Sequence, residues 1–260
     1  MPFVDTHCHL DFASYQPDLV EVIERAVDQG VNRIIVPGIN LASSQRAVLL
    51  SEEFPVVYAA VGVHPGELET FTSDQIPEFK QLLSRPKVIG VGEIGLDMYH
   101  RQDNLTLQKE VLQVFLQLAS DYQKPVILHS RNCLEELQAE VFNFTGRQPG
   151  RNIRGVFHAF KGDYHQAEIL LQRGFLIGIG GPITYKNNTL KHELLSKIDL
   201  SQVILETDGP FLPPEGYRGK RNESAFIPII ARKIAELKQC DIQEVADLTT
   251  RNAYQLFILD

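Results

Sequence analysis

The chain has 260 residues, 25 Lys plus Arg against 33 Asp plus Glu, a formal net charge of −8, and 43% hydrophobic and 22% charged residues. This is the composition of an ordinary globular protein long enough to bury a full core. It excludes a protein that coats duplexes by neutralising many phosphates, and no window approaches the roughly 18 apolar residues of a membrane span.

The N-terminus, Met1-Pro2-Phe3-Val4-Asp5, lacks a basic region followed by an apolar core, and Cys8, Cys133 and Cys240 stand far apart without C-x-x-C spacing. A cytoplasmic, reducing setting is therefore expected, with no disulfide framework and no thiolate zinc site. Short β-branched or Gly-rich apolar runs at 3–6, 33–37, 57–63, 88–93, 125–129, 155–158, 175–179 and 203–207 predict eight strands. Between the first two, Leu19, Val22, Ile23, Ala26 and Val27 follow helical spacing and stop at Gly30, and 105–122 is the longest helical stretch. Strand starts recur about every 29 residues, close to one βαβ unit. Eight such units predict a single (β/α)8 TIM barrel over 1–260. A doubly wound sheet is the alternative, but it calls for a Gly-rich phosphate turn after the first strand, where this chain reads His7-Cys8-His9-Leu10-Asp11. The segment 209–222, rich in Pro, Gly and basic residues, reads as a loop after strand eight. Gly178-Ile179-Gly180-Gly181 lacks the Gly-Lys-Ser/Thr ending of a phosphate loop and reads as close packing at a strand end.

In a barrel, chemistry collects at the C-terminal ends of strands. His7 and His9 end strand one, His64 follows strand three, Glu93 ends strand four, His129 and Arg131 end strand five, His158 ends strand six, and Glu206 and Asp208 end strand eight. Strand alternation puts His7 and His9 on one face and Cys8 on the other, where it reads as a small buried hydrophobe. Four imidazoles with carboxylates and no thiolate suit zinc, manganese or magnesium, and six donors exceed what one catalytic ion uses. Two divalent ions are expected, with His7, His9 and Asp208 on one, His129 and His158 on the other, and Glu93 as the bridge. A hydroxide bridging the ions would attack phosphorus, with Asp208 as base. Glu206 supports the ligands, and Asp5 either braces the layer below His7 or orients a ligand. His64 either protonates the leaving oxygen, or binds phosphate, or makes a buried hydrogen bond before Pro65. Arg131, Lys161, Arg218, Lys220 and Arg221 form either a substrate-binding rim or a solvated face.

Asp5-x-His7-x-His9, Gly62-Val63-His64-Pro65, Gly92-Glu93-Ile94-Gly95-Leu96-Asp97, Pro125-Val126-Ile127-Leu128-His129-Ser130-Arg131, His158-Ala159-Phe160-Lys161-Gly162 and Leu205-Glu206-Thr207-Asp208-Gly209-Pro210 together resemble the TatD family of metal-dependent deoxyribonucleases, in its YjjV-like branch. The resemblance covers nearly the whole chain. It implies an amidohydrolase-like barrel with two divalent ions on His7, His9, Glu93, His129, His158 and Asp208, and 3′-to-5′ exonuclease action on DNA or RNA ends. Lys161, and Ser224 in Arg221-Asn222-Glu223-Ser224, depart from the residues frequent in the family. Neither change removes a ligand. Nucleic acid ends are thus the expected partner, with no membrane and no obligate protein partner. The rival activities are a metal-dependent esterase or amidohydrolase, such as a deacylase of aminoacyl-tRNA, and a non-catalytic metal-binding module.

Overall fold

The computed structural model describes residues 2–100, 103–147 and 153–259. In chain order the elements are β1 (Phe3–Asp5), α1 (Leu19–Asp28), β2 (Val31–Pro37), α2 (Leu41–Glu53), β3 (Val57–Val61), α3 (Ile76–Leu83), β4 (Val88–Asp97), α4 (Leu105–Asp121) and β5 (Val126–Arg131). There follow α5 (Leu134–Arg147), β6 (Gly155–Phe157), α6 (Tyr164–Leu171), β7 (Leu176–Ile179), α7 (Thr189–Lys197), β8 (Val203–Leu205), α8 (Ile227–Lys238) and α9 (Ile242–Phe257). The strands form one sheet in the order β1 to β8. All eight predicted strands are present, and the alternation of strand and helix is that of a (β/α)8 barrel.

The chain divides into two compact units, Met1–Val36 with His158–Asp260, and Pro37–Phe157. In the first, β7 pairs parallel with β8, and the end of β8 returns to β1: the Thr6 N–H donates to the Leu205 carbonyl at 3.0 Å, and Cys8 bridges Gly209 in parallel. α1 buries Val22, Ile23 and Ala26, the inward stripe its spacing predicts, but Val27 is exposed. Helix starts are marked by side chains that take up the free N–H groups of the first turn, Asp163 before α6 and Asp241 before α9.

In the second unit, β3 pairs parallel with β4, β4 with β5 and β5 with β6. β3 and β4 are buried along their whole lengths, as expected of parallel strands covered on both faces. β4 runs four residues beyond its predicted end at Glu93. Its backbone is held there by Gln108, which accepts from the Asp97 N–H at 2.8 Å and donates to the Asp97 carbonyl at 3.0 Å. β8, in contrast, stops at Leu205 rather than Thr207, because the following residues turn to bond β1 and Asp208 adopts a left-handed φ of 59°. Among the described residues no helix is long and apolar enough to cross a membrane.

Candidate metal centre

The first unit gathers His7, His9 and Asp208. The Nε2 atoms of His7 and His9 lie 3.2 Å apart, and Asp208 Oδ1 lies 3.7 Å from the first and 3.8 Å from the second. A triangle with those sides fits a circle of about 2.1 Å radius, the bond length a divalent ion takes from imidazole nitrogen and carboxylate oxygen. Backbone bonds set the triangle: the Asp208 N–H donates to the His7 carbonyl at 2.8 Å and the His9 N–H to the Gly209 carbonyl at 2.8 Å. His7 is fully buried, whereas 15% of the Asp208 side chain reaches solvent. The donor set, nitrogen and oxygen without sulfur, therefore fits a hard to borderline divalent cation.

His158 belongs to the same unit, its ring stacked on that of His7 at 4.0 Å. Its Nδ1 lies 3.9 Å from Glu206 Oε1, which accepts the Ala159 N–H at 2.5 Å. Burial pushes the Glu206 carboxyl up to about 7 despite the opposing influence of His158. Gly178 has a local reason: a Cβ there would strike the Glu206 carboxylate, which agrees with the close-packing reading of that glycine run. Asp5, fully buried, accepts from Thr207 and is raised by burial to about 6. Cys8 is buried and its thiol is pushed well above the ordinary range by burial, as suits a packing residue.

The second unit gathers His64, Glu93 and His129. Glu93 Oε1 lies 2.8 Å from His129 Nδ1 and 3.7 Å from His64 Nε2. His64 Nδ1 accepts the Gly66 N–H at 2.9 Å. In the neutral ring the proton is therefore on Nε2, which can donate but has no lone pair for a metal. Glu93 and His129 remain as ligand atoms, and His64 stands beside them as a donor. On the far side of His129, Nε2 lies 3.4 Å from Asp97 Oδ2, and His100 Nδ1 lies 2.8 Å from the same oxygen. Burial acts to raise the Asp97 pKa, but the hydrogen bonds from His129, His100 and the His100 and Tyr99 N–H groups outweigh it and hold the carboxyl well below its ordinary range. A carboxylate on the second nitrogen of a ligating imidazole fixes the tautomer and the ring.

The basic residues divide. Arg131 stacks over Tyr99 at 3.9 Å with Nη1 3.5 Å from His100 Nε2, next to the Asp97 network. Lys161 lines a cavity with Asp208, and Arg218 lies 4.9 Å from the centroid of Tyr185 on the same cavity. Lys220 lies 5.7 Å from the Tyr217 ring centroid. Arg221 is bound to Asp18 through both terminal nitrogens at 2.7 Å, to Glu223 at 2.8 Å and to the Ser14 carbonyl at 2.5 Å, so its donors tie the loop after β8 to the start of α1. Sequence reasoning gives no role to Asp97 and overlooks Lys191. Residues 93, 95 and 97 share one face of a strand, a signal that points to Asp97.

The TatD-related DNase model matches residues 4–258. The chain is 36% identical to the uncharacterized metal-dependent hydrolase YabD of Bacillus subtilis, over 97% of this chain and 98% of that protein. It is 31% identical to a 3′-5′ ssDNA/RNA exonuclease TatD of Citrobacter rodentium, over 97% of each. Its structure matches the crystal structure of the TatD homologue YjjV of Escherichia coli with a TM-score of 0.92, at 35% identity over 99% of this chain and 98% of that one.

Proposed function

The chain belongs to the TatD-related DNase family of metal-dependent hydrolases, and from this premise we propose that it removes nucleotides from the 3′ ends of DNA or RNA, using one divalent ion in each cluster. The observation that carries the reading is the His7, His9 and Asp208 triangle, whose size suits a divalent ion. The exonuclease name of the Citrobacter relative supports the substrate class. Zinc, manganese and magnesium all suit the donors. The three cysteines are unpaired with one another, which supports a reducing, cytoplasmic setting.

Bound divalent ions supply the neutralisation of phosphoryl oxygens and the lowered pKa of water that phosphodiester hydrolysis needs. Asp208, partly open to solvent, takes the proton of the attacking water at a carboxylate oxygen. Glu93 and His129 would hold an ion of the second cluster, and Asp97 fixes the His129 ring. The Nε2–H of His64 donates a hydrogen bond to the charge that develops on the leaving oxygen, which takes its proton from solvent. Glu206 aligns the His158 segment through the Ala159 N–H. Arg131, Lys161 and Arg218 attract the phosphates.

The test is a metal-stripped sample with manganese or magnesium restored, offered a 3′-labelled oligonucleotide beside an aryl phosphodiester and an aryl carboxylic ester. Stepwise shortening of the oligonucleotide is expected. Turnover of the carboxylic ester alone would establish the esterase or deacylase activity instead.

A further inference from the structure

Beside Asp208 the first unit encloses a cavity of about 310 Å³, at the lower end of the range for small-molecule sites. Its walls are mainly apolar, built by Pro182, Tyr185, Leu190 and Leu212, with Lys161, Lys191 and Glu206 supplying charge. Lys191 is the unusual member. It lies on α7 and is 7% exposed, yet among the described residues its ammonium makes one hydrogen bond, to the Phe160 carbonyl. An ammonium has three donors, so two remain on a buried side chain that lines the cavity, and buried donors without acceptors are costly. A ligand that brings an acceptor oxygen would remove that cost.

The charges and walls decide which oxygen. A phosphate beside Lys191 would also meet Glu206, the carboxylate that acts on that ammonium, a like-charge contact that low dielectric makes worse while Glu206 is ionised. A flat neutral ring with an exocyclic oxygen would cover the apolar walls and meet Lys191 without that repulsion. Thymine, uracil, guanine and cytosine each carry such an oxygen; adenine has an amino group and ring nitrogens instead. Lys161 on the lining and Arg218 against Tyr185 provide cations for the phosphate attached to the base. Resting on the reading that this enzyme works at nucleic acid ends, we propose that the cavity is a base-selective subsite for the terminal nucleotide, in which Lys191 donates to a ring carbonyl oxygen and adenine is disfavoured.

Binding of thymidine and of deoxyadenosine to the metal-free protein, followed by ligand-observed NMR and calorimetry, tests the subsite without turnover. Thymidine should bind roughly 10- to 100-fold more tightly, the worth of one hydrogen bond to a charged group. Lys191→Met should abolish the difference and Tyr185→Ala should weaken both ligands. Leu190→Trp, at a 44% exposed position of α7, should narrow the cavity and weaken both while leaving Lys191 and Glu206 in place; it decides the matter if Lys191→Met does not fold. Equal affinity for the two nucleosides, no binding to the folded protein, or discrimination that survives Lys191→Met would overturn the subsite. Oligonucleotides ending in dT or dA separate the two readings. Cleavage of both at equal rates counts against the subsite alone, whereas selective nucleoside binding with neither oligonucleotide cleaved supports the subsite and removes the exonuclease activity.

Discussion

The Asp5 carboxylate receives the Thr207 hydroxyl at 2.6 Å and the Thr207 N–H at 2.9 Å, joining residues 202 positions apart. It fastens the segment after β8 to the end of β1, between Leu205 and the ligand Asp208 on one side and two residues before His7 on the other. Burial nevertheless raises its pKa from 3.8 to about 6. A carboxyl raised on folding favours the folded state while protonated, so this contribution is complete below pH 3.8 and lost as pH rises through about 6. A rise of that size corresponds to roughly 3 kcal/mol. Metal-free wild type should lose about that much stability relative to Asp5→Asn between pH 4 and pH 7 in denaturant unfolding. Parallel pH curves for the two proteins would show that Asp5 is not the group responsible.

Asp97 Oδ2 meets both His129 Nε2 and His100 Nδ1. Replacing it with Asn keeps the size and removes the charge that fixes the imidazole tautomer. Asp97→Asn should weaken metal binding by about 10- to 100-fold, the usual consequence of losing an outer partner of a ligand, with the melting temperature nearly unchanged. Manganese titration monitored by electron paramagnetic resonance measures it. His100→Ala should have a smaller effect, because His129 keeps its carboxylate.

Much of the site is legible in the sequence because the period of a strand is two and barrel ligands sit at strand ends. His7 and His9 have to emerge together, and their Nε2 atoms meet at 3.2 Å. Asp97 is hidden by Gly92 and Gly95, which weaken the strand signal of β4 just where it continues. Lys191 is hidden for another reason. A lysine on a short polar helix reads as solvated, and only the packing of α7 over the Phe160 carbonyl buries it.

Arg221 illustrates the ambiguity of a basic loop, since its partner Asp18 lies 203 positions away. The arginine side chain holds the Asp18 carboxyl down to about 2 through its hydrogen bonds and lies 4.7 Å from the Tyr15 ring centroid. Arg221→Ala should lower the melting temperature and leave KM for an oligonucleotide within a factor of about two, because these donors are already engaged. A raised KM at unchanged melting temperature would return Arg221 to the substrate-binding residues. Arg218→Ala is the contrasting case, with KM expected to rise and stability to stay close to wild type, as for most exposed substitutions.

His7, His9 and Asp208 share no residue with His64, Glu93 and His129, so a substitution in each group tests one expected ion. His9→Ala removes one corner of the triangle formed with His7 and Asp208, while His129→Ala removes the imidazole closest to Glu93. Each variant should therefore lose about one metal equivalent of the two expected for wild type, measured by elemental analysis after gel filtration. Each ion contributes several kcal/mol to stabilising charge in the transition state, so either loss should lower kcat by at least about a hundredfold. Chelation should abolish wild-type activity, and added manganese should restore it in wild type but not in either variant. His64→Ala, which removes the donor at Nε2 without removing a ligand, should lower kcat at unchanged metal content. A fall in metal content in that variant would make His64 a ligand and would contradict the assignment drawn from its bond to the Gly66 N–H.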